Sequence, residues 1–151
     1  MFNTKAATDA RKTLTGKDGA LFNDEGVMLA TVEEYQAQVN ISNTKYNPLG
    51  CAQDISVPST YAVTLSFTQA VIADDAFIKE LYEGMKTGVM PSWNFQGVLQ
   101  GRNSSEERVI YRDCVPSGTI DLQNLKVGEI VKRAWSFAVN NPPDLQSYLT
   151  V

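Results

Sequence analysis

The sequence predicts a mainly β domain, an antiparallel β-sandwich or partly rolled barrel with one α-helix. From Gly19 onward, apolar residues recur at every second position through most segments, the period of a half-buried strand. Clusters of Asn, Asp, Gly and Pro separate these runs, as turns between strands require. Only the segment at about 74–87 shows helical spacing, with Phe77, Ile78, Leu81, Tyr82 and Met85 as one stripe.

Taken in order, residues 1–18 form a polar arm in which Lys5, Arg11, Lys12 and Lys17 outweigh Asp9 and Asp18. Such an arm either orders on contact with an acidic neighbour or frays as a terminus. Residues 19–151 form a single domain, the size expected for a chain of this length. Ala20, Leu21 and Phe22 lead through Asp24, Glu25 and Gly26 into a long second strand, reading as a hairpin. The apolar phase of that strand runs through Met28, Ala30 and Val32, then shifts to Tyr35, Ala37, Val39 and Ile41. A strand has a period of two, so the shift requires a bulge or bend near Glu33 and Glu34.

Residues 43–58 read as a long loop, and patternless stretches of that length are more often functional than idle. Tyr61, Val63, Leu65 and Phe67 then alternate with Ala62, Thr64, Ser66 and Thr68. The helix starts at a cap on Asp74 or Asp75 and stops at Gly88; Gly84 inside it costs about 1 kcal/mol against Ala. Its apolar stripe is assigned to core packing. Further strands follow around Trp93 to Leu99, Glu106 to Cys114, Thr119 to Gln123 and Glu129 to Asn140, before a short tail.

Composition narrows the function. The chain has 151 residues, no histidine, two cysteines and a formal charge of −4. Without histidine there is no Ser-His or Cys-His nucleophile, no imidazole base and no usual zinc set. The acidic balance argues against a dedicated nucleic-acid binder. No apolar run approaches the roughly 18 residues of a membrane span. The opening residues lack the apolar stretch of a signal peptide, so the chain reads as soluble and unexported, with reduced thiols. Gly16-Lys17 does not complete a phosphate loop, because Arg11 and Asp18 stand where Gly and Ser or Thr are needed. The pairs Glu33-Glu34 and Glu106-Glu107 fall in strands, where neighbours point to opposite faces, and Asp74-Asp75 suits a helix start. The sequence offers no catalytic residue, metal ligand or cofactor site.

The polar strand faces say more. Past the phase shift one face carries Glu34, Gln36, Gln38 and Asn40; the next strand carries Ala62, Thr64, Ser66 and Thr68; a third carries Ser92, Asn94 and Gln96. None is Lys or Arg. Such a face is wetted but offers a polyanion no cation to replace its counterions, which suits a channel wall as well as it suits a plain solvent face. Long strands also leave edges that invite association, which a ring of identical copies would satisfy.

Leu14-Thr15-Gly16-Lys17-Asp18-Gly19-Ala20-Leu21-Phe22, followed by Asp24, Gly26 and a strand through Tyr35-Gln36-Ala37, resembles the opening of tail tube proteins from contractile-tailed phages and phage-like particles of Gram-positive bacteria. The Thr-rich strand, the Lys86-Thr87-Gly88 helix end, Glu107-Arg108-Val109, Val127-Gly128-Glu129 and Ser136-Phe137 are also similar.

The resemblance implies a non-enzymatic virion subunit whose hexameric rings stack into the inner tube of a contractile tail, assembled in the bacterial host cytoplasm. Its partners would be further copies, tail sheath, baseplate and tape-measure proteins. DNA would pass through without specific binding, and no part would insert in a membrane. Tyr46, Asn47, Pro48 and Leu49 would anchor the loop on an adjacent subunit. Glu34, Gln36, Gln38, Asn40, Thr64, Ser66 and Thr68 would face the lumen. Two alternatives stand beside this reading: the inner tube of a DNA-free contractile bacteriocin or injection device, and a monomeric β-sandwich that binds a ligand.

Overall fold

The computed structural model describes residues 14–23, 26, 28–29, 31–71, 76–101 and 104–149. Most of the expected arm and the cap at Asp74 or Asp75 lie outside these residues. A 3₁₀ turn, Gly16–Asp18, is closed by the Thr15 amide donating to the Asp18 carboxylate at 2.8 Å. It leads into β1 (Gly19–Phe22), and the chain turns at Gly26 (φ +78°) so that Phe22 bridges Met28. Then come β2 (Val32–Tyr46), β3 (Ile55–Ala70), α1 (Ala76–Thr87), β4 (Trp93–Gln100), β5 (Glu106–Pro116), β6 (Lys132–Val139) and β7 (Asp144–Ser147).

The strands form one open antiparallel sheet in the order β1-β4-β5-β6-β3-β2, with β7 added alongside β5. The sheet curls on itself. Tyr35 of β2 places its hydroxyl 3.1 Å from where a Cβ on Gly97 of β4 would stand, although three strands separate β2 from β4 in the sheet. The Leu29 amide donates to the Leu21 carbonyl and the Val32 amide to the Leu29 carbonyl, tying β1 to the start of β2. A cavity of about 370 Å³ between these elements marks the seam where the roll stays open.

The curl encloses the alternating apolar residues. Leu21, Val63, Leu65, Phe67, Phe95, Cys114, Trp135, Phe137 and Val139 are buried, and α1 adds Phe77 and Leu81. Phe67 stands among Phe77, Phe95, Trp135 and Phe137 with ring centroids 5.6–6.4 Å apart. Trp135 and Phe137 lie nearly parallel. Each such pair adds about 0.5–1.5 kcal/mol beyond its buried area.

Four local expectations change. The loop expected over 43–58 is strand at both ends, and only residues 47–54 are unpaired with the opposite strand: Tyr46 pairs with Ile55 and Asn43 with Pro58. Pro58 is tolerated because the ladder is already interrupted by a register shift between Ser42 and Asn43. Pro48, Leu49, Gly50 and Cys51 close the turn, with Gly50 at φ +83° and the Cys51 amide donating to the Pro48 carbonyl at 3.1 Å. The helical stripe divides: Phe77 and Leu81 are buried, whereas Tyr82 and Met85 are exposed. Residues 119–123 form no strand, although the Asp121 amide donates to Ala134; the tail instead contributes β7.

Gly84 has a steric reason to be in the helix. A Cβ there would meet Pro91 Cδ at 2.9 Å, the Val89 carbonyl at 3.0 Å and Met90 Cα at 3.3 Å, so the glycine lets the chain double back closely after Gly88.

Candidate self-assembly surfaces

The register of β2 and β3 sorts their side chains, because directly opposed residues of an antiparallel pair share a face. Tyr35/Phe67, Ala37/Leu65, Val39/Val63 and Ile41/Tyr61 lie on the core side. Glu34/Thr68, Gln36/Ser66, Gln38/Thr64 and Asn40/Ala62 lie on the other. The seven residues singled out for a polar wall therefore share one face. The bulge expected near Glu33 is present, since Val32 pairs with Gln69 and Glu34 with Thr68, leaving Glu33 as the extra residue.

β6 extends this face. Ala134, Ser136 and Ala138 pair with Thr68, Ser66 and Thr64, so they stand beside the β3 row on the outside of the curl. Sequence reasoning missed them, although they alternate visibly with Trp135, Phe137 and Val139. Ser92, Asn94 and Gln96 do not join the wall, because β5 and β6 separate β4 from β3. The Asn94 side chain accepts from the Asp113 amide at 2.9 Å, and Gln96 accepts from Arg108 at 2.8 Å, so the third expected row stands beside a cation.

Among the described residues, the wall formed by 34–40, 62–68 and 134–138 carries one charged group, Glu34, and no cation. Lys132 follows at its end, opposite Ala70, and its ammonium lies 2.6 Å from the Glu33 carboxylate. The hydrogen bond to Glu33 raises the Lys132 pKa, and the charges of Glu33, Glu129 and Glu34 add to it.

Beyond Ala37 and Val63 the β2–β3 hairpin leaves the core. Every residue from 39 to 46 and from 55 to 62 is exposed, a two-stranded projection roughly 25 Å long at about 3.3 Å per residue. Near its base, Val39, Ile41 and Tyr61 offer an apolar surface on the core-side face. The register shift after Ser42 leaves Ser59 as the extra residue, with its hydroxyl donating to the Ser42 carbonyl at 2.9 Å. Past that bulge the apolar side chains change face, because Val57, Tyr46 and Ile55 now follow the phase of the polar row.

Tyr46 ends β2 and is half exposed, Asn47 is exposed, Pro48 is partly covered, and Leu49 at the tip is fully exposed. Together Val39, Ile41, Tyr46, Leu49, Ile55, Val57 and Tyr61 leave on the order of 500 Å² of apolar surface in water, worth about 12 kcal/mol if covered. β2 also has no strand on its outer side among the described residues, an unpaired edge of 15 residues. Cys51 lies exposed in the turn, while Cys114 is buried and desolvation pushes its thiol up to about 12.

No cluster of three or more His, Cys, Asp or Glu that could hold a metal occurs among the described residues. No described helix is long and apolar enough to cross a membrane.

The fold matches chains of solved assemblies at low identity. One belongs to the sheath–tube complex of an extracellular contractile injection system in the extended state, with TM-score 0.69, 6% identity, and coverage of 98% of this chain and 99% of that one. A second belongs to the virion of a native gene transfer agent particle, with TM-score 0.67, 12% identity, and coverage of 89% and 100%. A third belongs to the six-fold symmetrised baseplate of the anti-feeding prophage, with TM-score 0.59, 7% identity, and coverage of 85% and 91%. At these identities the likeness establishes the fold. No curated protein matches the sequence. The family model for Phage tail tube protein matches residues 6–141, nearly the whole chain. The chain therefore belongs to the phage tail tube protein family and is a structural tube subunit.

Proposed function

We propose that this subunit forms hexameric rings that stack into the inner tube of a contractile tail and conduct DNA. The face of β2, β3 and β6 lines the lumen in this arrangement. The carrying observation is the β2–β3 hairpin, which joins a cation-free polar face over residues 34–40 and 62–68 to an outer half with an exposed apolar surface and an unpaired edge. A monomeric ligand-binding module has no use for that much exposed apolar surface, whereas a ring covers it with a second copy.

The unpaired β2 edge continues into a strand of the neighbouring subunit, and Tyr46, Asn47, Pro48 and Leu49 dock on it. The six-fold baseplate and the extended sheath–tube complex of the structural neighbours support six subunits per ring, a surrounding sheath and a baseplate from which the tube grows. A tape-measure protein occupies the lumen during assembly in the bacterial cytoplasm, and DNA follows it. The missing cations favour a polyanion as cargo, since each bound phosphate would otherwise have to be released from a wall lysine or arginine.

Cys51 provides the test. It reports on the hairpin turn, and buried Cys114 serves as an internal control. In the free subunit a maleimide should label Cys51 and spare Cys114. In assembled tubes Cys51 labelling should slow at least tenfold. Labelling in tubes at the free-subunit rate would remove the hairpin from the interface.

A further inference from the structure

The bulge at Glu33, one of two register shifts in the β2–β3 ladder, lets both Val32 and Tyr35 pack on the core side. It also supplies an extra residue, Glu33, whose carboxylate reaches across β3 to Lys132 on β6. Lys132 falls on the side of β6 that carries Ala134, Ser136 and Ala138, so it is the cation next in line with the wall. Both side chains are about half exposed, and without Glu33 the ammonium would lose its ion-pair partner and keep only the more distant charges of Glu129 and Glu34. Those two charges also act on Lys132 in the intact protein, but Glu33 alone reaches it with a hydrogen bond.

We infer that Glu33 is a charge mask: it holds the Lys132 ammonium in an ion pair so that the end of the channel wall presents no free cation to passing DNA. The inference rests on the lumen reading above and adds to it a residue with a defined role in transport. In a six-subunit ring an unmasked lysine would recur six times around the bore. Each phosphate contact steepens the salt dependence of duplex binding by about 0.9 in log–log slope, so one ring of exposed ammonium groups could hold a duplex that should slide.

The test uses assembled tubes and a short DNA duplex in two forms, one bare and one blocked at both ends by a bulky protein that cannot enter a tube. Binding is measured against salt for wild type, Glu33→Gln, Glu33→Gln/Lys132→Gln and Glu83→Gln. The last makes the same net-charge change on the exposed face of α1. Gln38→Lys reports on the wall itself. The mask predicts that Glu33→Gln binds the bare duplex at least tenfold more tightly than Glu83→Gln, with a steeper salt slope. It also predicts no gain for the blocked duplex and a return to wild-type binding in the double variant, which shows that the exposed lysine and not altered folding is responsible. If Gln38→Lys gains bare-duplex binding while Glu33→Gln does not, the mask is overturned and the lumen reading stands. Equal gains for bare and blocked duplex in both variants would overturn the lumen reading and the mask with it.

Discussion

Disarming the hairpin tip should separate assembly from folding. Tyr46, Ile55 and Val57 share one face beyond the Ser59 bulge, and Leu49 stands fully exposed at the turn. Replacing them together (Tyr46→Thr, Leu49→Ser, Ile55→Thr, Val57→Thr) keeps β-branched residues in the strands and so preserves local preference. None of the four is buried, so the unfolding free energy of the isolated subunit should change little, within about 0.5 kcal/mol for each surface site.

Assembly should respond differently. These side chains carry on the order of 300 Å² of exposed apolar surface, about 7 kcal/mol if wholly covered by a neighbour. If association covers only half, the loss is about 4 kcal/mol per subunit, and the critical concentration rises roughly a thousandfold at about 1.4 kcal/mol per decade. Chemical denaturation of the subunit and pelleting of tubes across a concentration series measure the two quantities separately. A variant with unchanged unfolding that still assembles at the wild-type critical concentration would refute the docking argument. A large loss of subunit stability would show that the tip packs on its own domain.

Gly84→Ala should destabilise the fold by about 1 kcal/mol despite Ala being the better helix former, because overpacking against Val89, Met90 and Pro91 costs roughly 1–3 kcal/mol; denaturant titration checks the sign. Stability should fall in alkali: burial raises the pKa of Cys114 to about 12 from 9.0, so its contribution is complete below pH 9 and lost as pH rises towards 12, at up to roughly 1.4 kcal/mol per pH unit. Tyr35 and Tyr111, also raised by burial, lose stability in the same direction at higher pH, and Cys114→Ala should flatten the first part of the decline. Gln36→Lys, Gln38→Lys and Thr64→Lys combined should leave tubes intact by electron microscopy and sharply lower DNA delivery; unchanged delivery would place these residues off the lumen.

Much of the fold can be read from residue spacing. The shift in apolar phase locates the bulge at Glu33, because a regular strand cannot keep both Val32 and Tyr35 on the core side. The alternation in β3 gives both its core row and its polar row, and Phe77 and Leu81 mark the buried face of α1. The outer half of the hairpin is illegible for a physical reason. With both faces in water and a second bulge at Ser59 changing the apolar face, residues 43–46 and 55–58 show no steady period.

Strand order is equally hidden, since only non-local pairing puts Ala134, Ser136 and Ala138 beside the wall and sends Asn94 and Gln96 to the strand beside Arg108. Tyr82 and Met85 read as core because they are apolar and near the right spacing. The buried stripe of α1 is in fact narrow, running through Phe77, Leu81 and Gly84. The same residue types thus serve as core or as exposed surface according to where the sheet curls.

The most direct test is a cryo-electron microscopy reconstruction of tubes grown from the full-length protein. It should show six subunits per ring, with Gln36, Gln38, Thr64 and Ser136 lining the bore and the residue 47–54 turn seated on a neighbouring copy. A reconstruction with that face turned outward, or with the turn free in solvent, would contradict the channel reading.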